Sequence, residues 1–133
     1  MINITRFDVD KYDPIIHKIF PNLTNLKVDF DKRFPSQAHL IPKKVKYLAL
    51  EKLKNTSNEL FNFLVNPPKN IHNKKITILI YSKKYRASLL LACKMSKIKN
   101  ISFMLPSGAR RYKANIPFIH RPISGFTDIE VFT

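Results

Sequence analysis

The chain has 133 residues and a mass of 15.6 kDa, enough for one ordinary domain, and its 44% hydrophobic content lets it remove roughly two thirds of its unfolded surface from water. Twenty-four Lys and Arg against nine Asp and Glu leave a formal charge of +15 and a pI near 10.1, so a polyanionic partner is expected. A single cysteine, Cys93, excludes an intramolecular disulfide and any cysteine-cluster zinc site, and the four scattered histidines do not replace it, so neither a metal nor a cofactor is expected.

The opening Met-Ile-Asn-Ile-Thr-Arg-Phe-Asp carries too much acid too early for a secretory signal or a transit peptide, and no removable presequence is expected. Asp13-Pro14 and Phe20-Pro21 bracket Ile15, Ile16, Ile19 and Phe20, whose spacing predicts a brief helix packed on the body. Leu26 to Phe30 alternates as a half-buried strand does, and Asp31 to Ser36 has the composition of a turn. Asp29 and Asp31 share a strand face near that turn, where capping and pairing with Arg33 are expected in preference to chemistry. Val45 to Leu48 predicts a short strand. From Leu50 to Val65 apolar residues recur at helical spacing, with a break at Asn55 to Asn58, before Pro67-Pro68.

Ile76 to Tyr81 is a nearly continuous β-branched run, expected as a parallel strand covered on both faces. Ser82 to Tyr85 makes a loop, Arg86 to Ser96 a helix, and Ile101 to Leu105 a second strand, which together form a βαβ unit with a right-handed crossover. No apolar run is long enough to cross a bilayer. After Gly108 the chain turns to Arg110-Arg111-Tyr112-Lys113 and a proline-punctuated tail, expected as an extended arm. Phe118, Phe126, Ile129, Val131 and Phe132 make that tail apolar enough to dock on the domain or on a neighbouring subunit.

The order of these segments resembles rhodanese-like domains. Leu26 to Asp31, then Ala38-His39-Leu40-Ile41-Pro42, then Tyr47-Leu48, resemble the family's opening strand, its Gly-His-Ile-Pro motif and the strand after it. Ile76 to Tyr81, the loop Ser82 to Arg86, the helix with Leu89 to Cys93, and Lys99 to Leu105 resemble the active-site strand, loop, helix and next strand. The resemblance implies a three-layer α/β fold, with a central, mainly parallel sheet flanked by helices. It sets the boundaries at 1–22 for an N-terminal extension, 23–113 for the rhodanese-like domain and 114–133 for a C-terminal arm.

In active members of the family a cysteine directly after the central strand carries a persulfide; Ser82 stands at that position. A serine lacks the low-pKa thiolate this chemistry needs, and the loop is short and without its usual glycine, so no enzyme activity is expected. Cys93, within the helix, is expected as a buried small hydrophobe. His39 is expected as a loop residue and not as a ligand.

Three basic clusters are the candidate RNA- or anion-binding residues. Lys83, Lys84 and Arg86 precede or open a helix, where an external phosphate would offset their repulsion from the helix dipole, and Tyr85 would stack on a base. Arg110, Arg111, Tyr112 and Lys113, continued on the arm by Arg121, form a second basic segment, where Arg pairs with phosphate and stacks on bases. Lys43, Lys44 and Lys46 form the third cluster.

The expected role is a catalytically inactive, RNA-contacting structural component of a ribonucleoprotein, a mitochondrial ribosomal protein being the first choice, with ribosomal RNA and neighbouring ribosomal proteins as partners. The bias to Lys, Ile and Asn fits AT-rich, organelle-type coding, with a cytoplasmic location as the alternative. A second class is a non-catalytic accessory subunit of a mitochondrial respiratory membrane complex, touching its subunits or anionic lipid. A third is an enzyme using the 82–86 loop as an anion site.

Overall fold

The computed structural model describes residues 4–80, 86–106 and 126–132. It is an α/β fold built on a six-stranded sheet of β1 (Arg6–Val9), β2 (Asn25–Phe30), β3 (Tyr47–Lys52), β4 (Lys75–Leu79), β5 (Asn100–Pro106) and β6 (Phe126–Phe132). The first five are parallel, and β6 returns antiparallel along β5 with an irregularity in register between Phe103 and Met104. Helices α1 (Ile16–Ile19), α2 (Phe34–Gln37), α3 (Ser57–Val65) and α4 (Arg86–Met95) occupy the connections, with 3-10 turns at Ala38–Leu40 and Lys69–Ile71.

The expected class, a mainly parallel sheet flanked by helices, is therefore observed. The strands follow one another across the sheet in sequence order without reversal. Crossovers of one hand that always step in the same direction place their helices on the same face. The burial pattern agrees with this, since Leu26, Val28, Phe30, Leu48, Leu50, Ile76, Ile78, Ile80 and Ile101 point to one face and form a single core with Ile16, Phe34, Leu60, Phe63, Leu64, Leu89 and Ala92 from the four helices. Among the described residues all four helices contribute side chains to that core, and the arrangement is consistent with a three-layer α/β fold. The continuous run in β4 did report burial on both faces, because Thr77 and Leu79 on the opposite side are also buried.

The winding is solenoid-like. Strands begin at residues 6, 25, 47, 75 and 100, so each unit of strand plus helical return spans 19 to 28 residues. The loops leading into the strands repeat the same backbone bonding. The Thr5 carbonyl accepts from the N–H groups of Thr24 and Asn25, and the Thr24 carbonyl accepts in the same way from Lys46 and Tyr47. The carbonyls of Lys46 and His72 then accept from the N–H groups of Lys75 and Lys99. The half-buried Asn70 reinforces this stack, donating from Nδ2 to the carbonyls of Ala38 and Ile41 at 3.0 and 2.9 Å.

Within the core, Phe30 of β2 meets Phe34 of α2 and Phe63 of α3 at centroid separations of 5.7 and 5.6 Å, and Tyr12 closes against Phe34 at 5.8 Å. Each such ring pair adds about 0.5–1.5 kcal/mol beyond its area burial. The predicted break at Asn55 to Asn58 is real but sharper than a helix kink. Strand β3 runs through Lys52, Asn55 takes a positive φ of 62° that asparagine tolerates better than most residues, and α3 starts afresh at Ser57. Proline in the predicted turn at Phe34-Pro35 opens α2, where a first-turn proline costs no hydrogen bond.

The terminal segments taken above as extensions contribute strands to the same sheet. Residues 6–9 pair with β2, and residues 126–132 of the expected arm pair with β5.

Candidate nucleic-acid interface

The strands begin at one edge of the sheet, which we call its foot. The three segments entering β3, β4 and β5 are Pro42-Lys43-Lys44-Val45-Lys46-Tyr47, Lys69-Asn70-Ile71-His72-Asn73-Lys74-Lys75 and Lys97-Ile98-Lys99-Asn100. They hold eight lysines and no carboxylate, and from Leu60 to Thr127 the chain has no acidic side chain at all. Hydrophobic anchors fix these segments: Val45, Ile71 and Ile98 are buried, which leaves Lys43, Lys44, Lys46, Lys69, Lys75, Lys97 and Lys99 exposed.

Between the β3 and β4 entries lies a cavity of about 460 Å³ lined by Lys43, Lys46, Tyr47, Lys69, Asn70, Asn73, Lys74 and Lys75. Its size is in the range of about 300–1,000 Å³ for small-ligand sites. Lys74 is its one buried cation, and its ammonium donates to the carbonyls of Pro42, at 2.8 Å, and Val45. It thereby ties the β4 entry to the β3 entry and fixes where Lys43 and Lys46 emerge. Burial, assisted by the charge of Lys46, holds the Lys74 ammonium down to a pKa of about 8. Beside it, the Lys75 ammonium sits 5.4 Å from the centroid of the half-buried Tyr47 ring. The register places Arg6, Asn25, Tyr47, Lys75 and Asn100 in one row across the foot.

The other ends of β1 to β3 carry the opposite charge. Asp29 lies beside Glu51 in register, and Lys27 donates to Glu51 Oε1 at 3.0 Å with only 6% of its side chain exposed. Burial first, then the carboxylates of Glu51 and Asp10, raises Asp29 to a pKa of about 6; burial also raises Asp8. Asp31 instead caps the turn, its Oδ1 accepting from the N–H groups of Arg33 and Phe34 at 3.0 and 2.8 Å. Among the described residues no group of His, Cys, Asp and Glu is arranged to hold a metal ion.

Of the residues singled out from the sequence, Lys43 and Lys46 enter the cavity, while Lys44 bonds the Pro21 carbonyl at 3.3 Å on its flank. Arg86 is the first residue of α4. Ser82, Lys83, Lys84 and Tyr85, and Arg110, Arg111, Tyr112, Lys113 and Arg121, lie outside the described residues. His39 is exposed in its 3-10 turn and Cys93 is buried against the core. Sequence reading missed Lys69, Lys74, Lys75 and Tyr47. The signal available was positional, because both Lys43–Lys46 and Lys69–Lys75 directly precede a strand, and consecutive parallel strands bring such segments together. No described helix is long and apolar enough to cross a membrane. Comparison with protein-family models, with curated proteins and with solved structures gives no match.

Proposed function

We propose that the protein is a non-catalytic, RNA-contacting structural component of a ribonucleoprotein, with the mitochondrial ribosome as the host that its size, charge and coding bias suit. The observation that carries this reading is the foot of the sheet, where eight lysines without a carboxylate are held on stacked, hydrogen-bonded loops. A surface of this kind meets phosphates at little cost in ordering, and phosphate contacts dominate nucleic-acid affinity. The basic arm around Arg110 to Lys113 adds a second contact in the same sense. The rhodanese-like reading of residues 23–113, as a relative with Ser82 at the cysteine position, is carried by segment order alone. A sheet that never reverses its strand order lends it no support, and RNA contact does not require it.

The test is whether the native protein sediments with ribosomal particles from its source cells before and after ribonuclease and a high-salt wash. Ribonuclease-sensitive co-sedimentation is expected. Recovery in a ribonuclease-resistant membrane complex would overturn the reading and put the respiratory-subunit alternative in its place.

A further inference from the structure

We propose that the cavity at the foot of β3 and β4 holds one nucleotide of single-stranded RNA, its phosphate among Lys43, Lys46 and Lys69 and its base against Tyr47. This rests on the RNA-contacting reading above and narrows it to a site and a strand state. Three observations converge on it. The cavity lining combines five lysines with an aromatic ring and two asparagines and contains no carboxylate, so every charged group in it favours an anion. The walls are built in advance: Asn70 bonds the carbonyls of Ala38 and Ile41 and Lys74 those of Pro42 and Val45, four carbonyls in and just before the β3 entry, so the site needs little ordering when a ligand arrives. Tyr47 lines the same cavity with the Lys75 ammonium over one face of its ring, which brings an aromatic stacking partner next to the phosphate site.

A base reaches such a ring only when it is unpaired, because a base inside a duplex already has neighbours on both faces. A lysine surface without the ring would bind duplex and single strand through their phosphates alike. The cavity therefore predicts preference for the single strand, and Asn73, exposed at its rim, has both a donor and an acceptor for a base edge.

The experiment uses the full chain and four probes: a twelve-nucleotide single-stranded RNA, the same sequence as a duplex, uridine 5′-monophosphate and inorganic phosphate. Amide chemical shifts should move at Lys43, Lys46, Tyr47, Asn70 and Lys75 on adding the monophosphate, and inorganic phosphate should move fewer of them and bind more weakly. Tyr47→Leu should weaken the single strand about tenfold and leave the duplex unchanged, while Tyr47→Phe, which keeps the ring, should restore affinity and report that the fold is intact. If the single strand binds tightly but the foot amides do not move and Tyr47→Leu has no effect, the nucleotide site is overturned while RNA contact stands. Equal affinity for the monophosphate and inorganic phosphate overturns the stacking contact. Failure of every RNA to bind overturns both this proposal and the reading it rests on.

Discussion

Where β3, β4 and β5 begin, the entering segments carry eight lysines and no carboxylate; where β1, β2 and β3 finish, Asp10, Asp31, Glu51 and Lys27 collect around Asp29. The two ends handle their charge differently. At the carboxylate end the cation of this group is internal: Lys27 is buried and paired with the half-buried Glu51, and burial together with acidic neighbours raises the pKa of Asp29. At the foot the ammonium groups are mostly exposed, and Lys74, the buried one, bonds only to backbone carbonyls. The Lys27–Glu51 pair is satisfied within the chain and serves the fold. The foot leaves a surplus of positive charge facing outward, and a surplus that a protein does not neutralise itself is available to a partner.

The largest effect that would sharpen this contrast is expected at Lys27. Lys27→Met removes the cation from the carboxylate end and leaves Glu51 and Asp29 without it, at a cost of about 3 kcal/mol, the low end for breaking a buried pair because Glu51 keeps some solvent. Urea denaturation should show this loss, and adding Glu51→Leu should recover most of it. A Lys27→Met protein as stable as the parent would mean that the pair is not structural.

Charge reversal at the foot should behave in the opposite way. Lys43→Glu with Lys69→Glu should lower affinity for single-stranded RNA by at least tenfold at low salt, about 1.4 kcal/mol or more, while the unfolding midpoint stays within experimental scatter, since both side chains are exposed. Destabilisation comparable to that of Lys27→Met would erase the distinction between the two ends.

Raising the pH probes Lys74. Its ammonium, with a pKa of about 8, loses its proton well before an ordinary lysine, so RNA affinity should fall severalfold between pH 7 and pH 9. Lys74→Gln should bind more weakly at pH 7 and lack this step. The same depression has a stability consequence of definite sign. Between pH 8 and 10.5 the unfolded chain binds the extra proton, so this group makes the fold more stable as pH rises through that window.

The smallest effect is expected at Asp29. With its folded pKa raised from 3.8 to about 6, the native state binds the extra proton, so the contribution of Asp29 is most favourable below pH 4 and is lost as pH rises through 6. Asp29→Asn should therefore raise stability at pH 7 by a few tenths to about 1 kcal/mol, discounted for its partial exposure, and have no effect at pH 3.5. A loss of stability at pH 7 would show that the ionised carboxylate is needed.

Much of the fold could be read from residue periodicity. Alternation in Leu26 to Phe30 and the continuous run in Ile76 to Ile80 gave β2 and β4, and the spacing of Leu89 and Cys93 gave α4. Register and order were harder. Val45 proved to be a loop anchor and the strand began two residues later, because Lys46 and Tyr47 bond to the Thr24 carbonyl and so set where pairing starts. The foot was half legible. Lys43 and Lys46 were visible as a cluster, but their meeting with Lys69, Lys74 and Lys75 depends on β3 and β4 being neighbours, which is a property of topology and not of local sequence.

The measurement closest to the central claim is the salt dependence of single-stranded RNA binding by the parent chain and by a variant with Lys43, Lys46 and Lys69 all changed to Gln. The logarithm of affinity should fall linearly with the logarithm of salt concentration, and the variant's slope should be shallower by about 2, three contacts at roughly 0.7 each for a single strand. Equal slopes, with the variant folded, would show that the phosphates meet another surface and would contradict the foot as the RNA contact.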